Sequence, residues 1–372
     1  MGLHFIPDNA KIDFVGFRKI SYMLSLLMLL AGGVSLLVKG GPVYGIDFAG
    51  GMVIQVRFHS PVSDEEVKSA MEGGNLRHIV VQKLGSDNQG YMLRLAGHEE
   101  VGSLHIRGIV EQAIKEKLPG LDYEIQRLEM VGPKVGADLR ANAIEALFYA
   151  TLFIAVYLSG RFEQRWGIAL IMTAVLGGGL YALGLLGLSR GLLVPAAALL
   201  TVFCCWKLKL AYALGAIVSI VHDLLISIGI FSILNKEFDL IIIAALLTVV
   251  GYSLNDTIIV FDRIRENLRN NQKDNLAAII NRSVNQTLSR TVLTAMTTLL
   301  VVMTLLILGG GVIHDFALLL FVGIMVGTYS SIFVASPVLL FFEKTVFAQV
   351  QKEKEETAKE AIRQRNRGMP QV

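Results

Sequence analysis

The residues best placed to do chemistry in this chain are ionisable groups set inside stretches otherwise too apolar for water. In Gly251-Tyr252-Ser253-Leu254-Asn255-Asp256-Thr257, Asp256 lies within the apolar run 240–261, roughly 9 Å of helix from its charged end at Asp262. An ionised side chain at that depth costs at least ~2.5 kcal/mol on insertion scales, so an acid there reads as functional. A second acid, Asp223, falls near the middle of the run 210–234, with Ser219 and Ser227 one helical turn to either side and His222 beside it. The third group is Arg290, which shares a helical face with Thr294 and Thr297 and enters its run from the side that Asp256 approaches. A guanidinium and a carboxylate at one level attract each other. If they pair in one state and part in another, the acid can take up and give back a proton, which is what a proton-coupled machine requires.

Plainer roles compete at several positions. Serine and threonine on membrane helices mostly bond to their own preceding turn or to a neighbouring helix, so the threonines near Arg290 read first as packing. His222 also fits a satisfied core histidine, and Asp262 and Arg263 fit ordinary boundary charges. Asp315, after Gly309-Gly310-Gly311, reads as a helix N-cap. Cys204 and Cys205 are adjacent in an apolar segment and form neither a disulfide framework nor a metal spacing.

The elements that must carry these groups follow from composition. Of 372 residues, 53% are hydrophobic and 17% charged, and the charges crowd into a few polar blocks. That pattern excludes a single soluble domain and describes a protein that crosses the membrane many times. Apolar stretches of spanning length are expected at 20–38, 140–159, 167–188, 191–206, 210–234, 240–261, 288–308 and 316–342, the fourth being short and interrupted by Pro195. The first follows Lys11, Arg18 and Lys19 and has the length of a retained anchor rather than of a cleaved leader. Placing residues 1–19 in the cytoplasm puts Arg161, Arg165, Lys207, Lys209, the basic loop after Arg263 and the tail 343–372 on the same side. Only Lys39, Arg190 and Lys236 are left for the short outer loops, an asymmetry that fits the positive-inside rule.

Residues 41–137 are therefore external, and they read as a folded α+β domain. Gly51–Phe58 alternates as a strand, and Ser63-Asp64-Glu65-Glu66 opens a helix with a capping box. Strands are expected at 78–84 and 91–95 around the turn Ser86-Asp87-Asn88-Gln89-Gly90, a helix at 101–118, and a closing strand at 122–131. The order β-α-β-β-α-β predicts a ferredoxin-like sandwich. Its histidines His59, His78, His98 and His105 are scattered. No nucleophile elbow, phosphate loop or metal pair is present, so neither enzymatic activity, a cofactor nor nucleic-acid binding is expected. The tail beyond Gln351 is dense in charge and reads as solvated and partly helical or disordered.

Four segments, in order, carry a resemblance. Tyr44-Gly45-Ile46-Asp47-Phe48-Ala49-Gly50-Gly51 is similar to the double-glycine signature of the SecD/SecF family of protein-export membrane proteins. Gly215 through His222-Asp223, the stretch from Gly251 and Asn255 to Asn267, and Leu288-Ser289-Arg290-Thr291 resemble three further family motifs. The resemblance implies a member of the resistance-nodulation-division superfamily that supplies six spans, with SecD providing the matching half. It also implies association with the SecYEG channel in the bacterial inner membrane, where the proton motive force helps move secretory polypeptides across the lipid. In that family the acid at the place of Asp256 and the arginine at the place of Arg290 are implicated in proton transport. The chain departs from the family between Arg165 and Leu210, where the expected loop is replaced by further apolar residues. An inserted membrane hairpin at 167–209 is expected, within a bundle spanning 140–342. Two rival readings are a small-molecule or lipid transporter of the same superfamily and an intramembrane aspartyl protease using Asp223 and Asp256. Against the second, an arginine within the membrane disfavours a shared-proton dyad.

Overall fold

The computed structural model describes residues 11–73, 79–84, 88–95, 103–163, 166–185, 190–271 and 273–367. The first long helix, α1, runs Arg18–Lys39 and ends at Gly40 in the left-handed conformation (φ 74°). A one-turn helix α2 (Ile46–Ala49) leads into the α+β domain, formed by β1 (Gly51–Phe58), α3 (Asp64–Gly73), β2 (Ile79–Leu84), β3 (Gly90–Leu95), α4 (Ser103–Lys117) and β4 (Tyr123–Val131). The strands lie in the order β2-β3-β1-β4 with every neighbouring pair antiparallel, the ferredoxin-like arrangement that the element order predicts. Strand β1 turns Met52, Ile54, Val56 and Phe58 toward α3 and α4, where Val67, Met71, Ile106 and Val110 complete a core of its own. The capping box at α3 forms as the spacing requires: Glu66 accepts from Ser63 N–H at 3.0 Å, and Glu66 N–H donates to Ser63 Oγ at 3.3 Å. Residues Ser86 and Asp87 of the expected turn, and His78 and His98, lie outside the described residues.

The helical part continues with α5 (Pro133–Glu163), α6 (Trp166–Leu185), α7 (Arg190–Lys207), α8 (Ala211–Ile233), α9 (Leu240–Asn270), α10 (Leu276–Leu308) and α11 (Gly310–Ser330). A π-helical turn (Ser331–Ala335), α12 (Ser336–Val338), a 3₁₀ turn (Leu339–Phe342) and α13 (Glu343–Arg367) complete the chain's described length. Among the described residues, six helices are long and apolar enough to cross a membrane: α1, α5, α8, α9, α10 and the composite rod Ile313–Lys352. The stretch expected to hold an inserted hairpin forms the helix pair α6–α7, whose described apolar stretches, Trp166–Gly179 and Pro195–Lys207, are shorter than the six. It packs at the edge of the bundle against α5 and α8. Helix α8 is the most enclosed of the six, with α1, α5, α9 and α11 around it, and so offers the deepest place for a polar group.

Two expectations are corrected. Asp315 is not a helix cap: α11 already starts at Gly310, which places Asp315 inside its second turn, where it accepts from Lys236 Nζ at 2.6 Å. Helix α10 begins at Leu276, twelve positions before the apolar run, because Asn275 caps it through Ala278 N–H at 2.8 Å and its first turns are amphipathic, with Leu276, Ile279 and Ile280 buried and Arg282 exposed.

Candidate functional site

Two buried acids organise the bundle. Asp223, on α8, is 1% exposed, and both its carboxylate oxygens are occupied. Oδ1 lies 2.9 Å from His222 Nδ1, while Oδ2 accepts from Ser253 Oγ of α9 at 2.6 Å and Ser330 Oγ of α11 at 2.8 Å. Ser219, one turn back on α8, bonds Ser330 Oγ at 2.8 Å. The other imidazole nitrogen of His222 lies 2.9 Å from Ser25 Oγ of α1, which lies 3.0 Å from Tyr329 Oη of α11. Tyr329 Oη in turn donates to the Ser21 carbonyl at 2.6 Å. The Ser219–Asp223 stripe read from the sequence is thus real, and it ties four helices together. Ser227, the third member of that stripe, is buried with no hydrogen-bond partner among the described residues.

These contacts depend on close approach of backbones. A Cβ on Gly32 would stand 2.6 Å from Gly229 Cα, so α1 and α8 touch main chain to main chain two turns from Ser25. A Cβ on Gly327 would meet Ser253 Cβ at 2.9 Å, which seats α11 against α9 beside Asp223. Immediately after Ser330 the helix widens into its π turn, where Ser331 Oγ lies 2.9 Å from Thr257 Oγ1 and bonds Gly327 carbonyl. Such turns are frequent at functional sites.

Asp256, three residues beyond Ser253 on α9, is also 1% exposed, yet neither of its oxygens has a hydrogen-bond partner among the described residues. Arg290 on α10 is the charge whose field reaches it, but its side chain is exposed and no ion pair joins the two. The threonines on the Arg290 face bond their own helix, Thr294 to the Arg290 carbonyl and Thr297 to the Leu293 carbonyl, both at 3.0 Å. Asp223 and Asp256 do not share a hydrogen bond, so they do not form the dyad of an aspartyl protease. Gly251 and Asn255 lie one turn apart on the exposed side of α9, together with Thr248.

The double-glycine segment forms the joint between domain and bundle. Gly45 N–H donates to the Phe238 carbonyl at 2.8 Å, and a Cβ there would crowd Asp239 and that same carbonyl at 3.3 Å. Asp47 accepts from Leu240 N–H at 3.0 Å, at the start of α9, where anionic groups suit the helix dipole. Gly50 adopts φ 74°, and a Cβ on it would stand 2.7 Å from Pro133 Cα at the start of α5; Gly51, at φ 126°, opens β1. Arg94, on the outward face of β3, forms an ion pair with Glu237 in the α8–α9 loop. Desolvation by burial lowers the Arg94 pKa from its ordinary value. At the opposite end, Glu163 accepts from Tyr212 N–H at 3.0 Å, supplying the N-terminal cap that Leu210 cannot give α8.

Sequence reasoning missed Ser25, Tyr329 and Ser330. Their only local signals are the Ser21–Ser25 pair one turn apart in the first span and the polar run Thr328-Tyr329-Ser330-Ser331 in the last.

The architecture defines a multi-pass membrane protein with a ferredoxin-like domain between its first two long helices and ionisable groups enclosed by the rest. The family profile described as "Protein export membrane protein SecD/SecF, C-terminal" matches residues 109–191 and 189–345, two pieces that meet within the α6–α7 hairpin. The profile "SecD/SecF GG Motif" matches residues 34–62. The protein translocase subunit SecF of Thermodesulfovibrio yellowstonii is 36% identical over 343 residues, covering 91% of this chain and 97% of the relative. That of Magnetococcus marinus is 40% identical over 336 residues, covering 90% and 93%. The crystal structure of SecDF, a translocon-associated membrane protein from Thermus thermophilus, superposes with a TM-score of 0.66 at 30% identity. It covers 92% of this chain, which spans 40% of that longer one. The chain belongs to the SecD/SecF family.

Proposed function

We propose that the protein acts as the SecF-type subunit of the accessory complex of protein export, working with a SecD partner beside the SecYEG channel and using the proton motive force to promote translocation of secretory polypeptides. In this reading residues 41–137 face the periplasm and residues 1–19 and 343–372 the cytoplasm of a bacterium, with inner-membrane lipid around the bundle. Asp256, Arg290 and Asp223 form the proton pathway.

The observation that carries this reading is the bare carboxylate of Asp256. A buried acid without a donor is costly as an anion and cheap once protonated, so its charge state follows whatever approaches it. Arg290 is nearby but unpaired, which suits a site that closes and opens during a cycle. A SecD partner is supported by the uncovered stripe of Thr248, Gly251 and Asn255 on α9, since small and polar positions suit another helix better than lipid chains. The energies fit. One charge crossing ~150 mV gains roughly 3.5 kcal/mol, and inverting a two-state population from 1:99 to 99:1 needs ~5.5 kcal/mol. One proton biases a domain movement, and two complete it. The test is proton-driven export in vesicles carrying Asp256→Asn. We expect loss of the gradient-dependent part with assembly intact, and export at the normal rate would overturn the assignment.

A further inference from the structure

Hydrogen bonds between Ser21 and Asp223 can be assigned directions, because each hydroxyl has a single hydrogen to give. The Ser21 carbonyl can only accept, so Tyr329 Oη spends its hydrogen there. The 3.0 Å contact between Tyr329 Oη and Ser25 Oγ is then donated by Ser25. Ser25 has nothing left for His222 Nε2 at 2.9 Å, so the ring N–H must donate to Ser25. With Nε2 protonated, the 2.9 Å contact between Nδ1 and Asp223 Oδ1 needs one hydrogen more, on the ring or on the carboxyl. The remaining oxygen, Oδ2, accepts from Ser253, while Ser330 divides its one hydrogen between Oδ2 at 2.8 Å and the Gly327 carbonyl at 3.1 Å.

We propose that His222 and Asp223 together form a proton-binding site, holding one exchangeable proton beyond what a neutral imidazole and a carboxylate would carry. The proton is shared between Nδ1 and Oδ1 and leaves the pair with no net charge. That neutrality explains how an acid sits in the most enclosed helix of the bundle without a cationic partner from another element. Release has a defined consequence. Losing the proton leaves one hydrogen on the ring, which the carboxylate draws to Nδ1, so Nε2 becomes an acceptor. Ser25 must then swing its hydroxyl from Tyr329 to the ring, and the only side-chain hydrogen bond shown here between Ser25 on α1 and Tyr329 on α11 is lost. The occupancy of the site is thereby converted into a contact between two helices.

The other titratable groups around the pair are few. Tyr329 stacks on the imidazole with ring centroids 6.1 Å apart, Tyr22 of α1 lies within the field of Tyr329, and Asp256 lies one turn beyond Ser253 on α9. Helices α5 and α7 and the π turn also pack on α8, and among the described residues they place no hydrogen bond on the pair. The part this proton plays in transport rests on the reading above, whereas its presence does not.

The experiment is ¹⁵N magnetic resonance of histidine-labelled full-length protein in lipid vesicles, with His222 assigned by its absence in His222→Gln. At neutral pH the Nε2 position should carry a hydrogen, and a ring protonated at Nδ1 alone would overturn the site. In Tyr329→Phe, Ser25 is free to donate to Nε2, so the ratio of His222 rings with a hydrogen on Nε2 to rings without one should fall roughly tenfold. An unchanged Nε2 signal in that variant would also overturn the proposal. Neither readout involves export. Failure here leaves Asp256 untouched as the transport acid, and normal export by Asp256→Asn would leave this proton count standing.

Discussion

Asp223 and Asp256 are equally buried and sit on neighbouring helices, but their surroundings are opposite. Around Asp223, groups from three helices, α8, α9 and α11, occupy both carboxylate oxygens. Around Asp256 the described residues contribute no hydrogen bond, and the nearest cation keeps its distance. Burial alone therefore does not define how an acid works. A saturated carboxylate is held in place and can change its charge only by rearranging the bonds that hold it, whereas a bare one costs free energy in its charged form and answers directly to whatever approaches. The first is tied into the packing of α1, α8, α9 and α11; the second stands unbonded on the rim of the same bundle.

The sharpest way to break this contrast is to compare the two acids by stability. Asp223→Ala removes one partner from a fully bonded buried pair, which typically costs ~3–5 kcal/mol. Asp256→Asn removes no hydrogen bond shown here and should change stability by less than about 1 kcal/mol. Reversible unfolding in mixed micelles measures both. Equal losses would mean that Asp256 is held as firmly as Asp223. Next in size is Gly229→Val, which forces atoms into the backbone of α1 at Gly32. Overpacking of this kind costs ~1–3 kcal/mol, and it should loosen Ser25 from His222 while leaving Asp256 unaffected. A cysteine pair placed across α1 and α8 would report the separation, and an unchanged crosslinking yield would count against this packing.

The same contrast explains what a single sequence reveals. Apolar length exposed the long helices, and alternation in Gly51–Phe58 exposed the sheet, because both signals are local and periodic. The acids themselves were legible, since charge in an apolar run stands out wherever it falls. Their partners were not. Ser25 and Tyr329 lie hundreds of positions apart, and neither carries a local mark that it will meet His222. Helix ends were misjudged at α10 and α11 for a related reason: a long apolar run marks the lipid-crossing length, while a capped amphipathic helix such as Leu276–Ser283 extends beyond it. The expectation that Arg290 and Asp256 pair in one state and part in another rested on matching depths, and the parted arrangement seen here is one of the two it allows.

The smallest effect belongs to a third carboxylate, Glu66 in the α+β domain, which serves as a control for both membrane acids. Its donors are local, Ser63 N–H at 3.0 Å and Ser63 Oγ at 2.8 Å, and it is open to solvent. The Ser63 backbone N–H, and then its hydroxyl, hold the Glu66 carboxyl below its ordinary pKa of 4.5. A depressed carboxylate adds stability that is complete above its unfolded pKa and is lost as the pH falls through the folded one. Glu66→Gln should therefore lower the domain's thermal midpoint slightly at neutral pH and match the parent once the medium is acid enough to protonate both states. Because salt screens exposed charges, raising ionic strength should also shrink that difference. The difference between Asp223→Ala and its parent should persist under the same salt, since its carboxylate is shielded by four helices. A salt-insensitive Glu66 or a salt-sensitive Asp223 would show that exposure does not govern how these acids contribute.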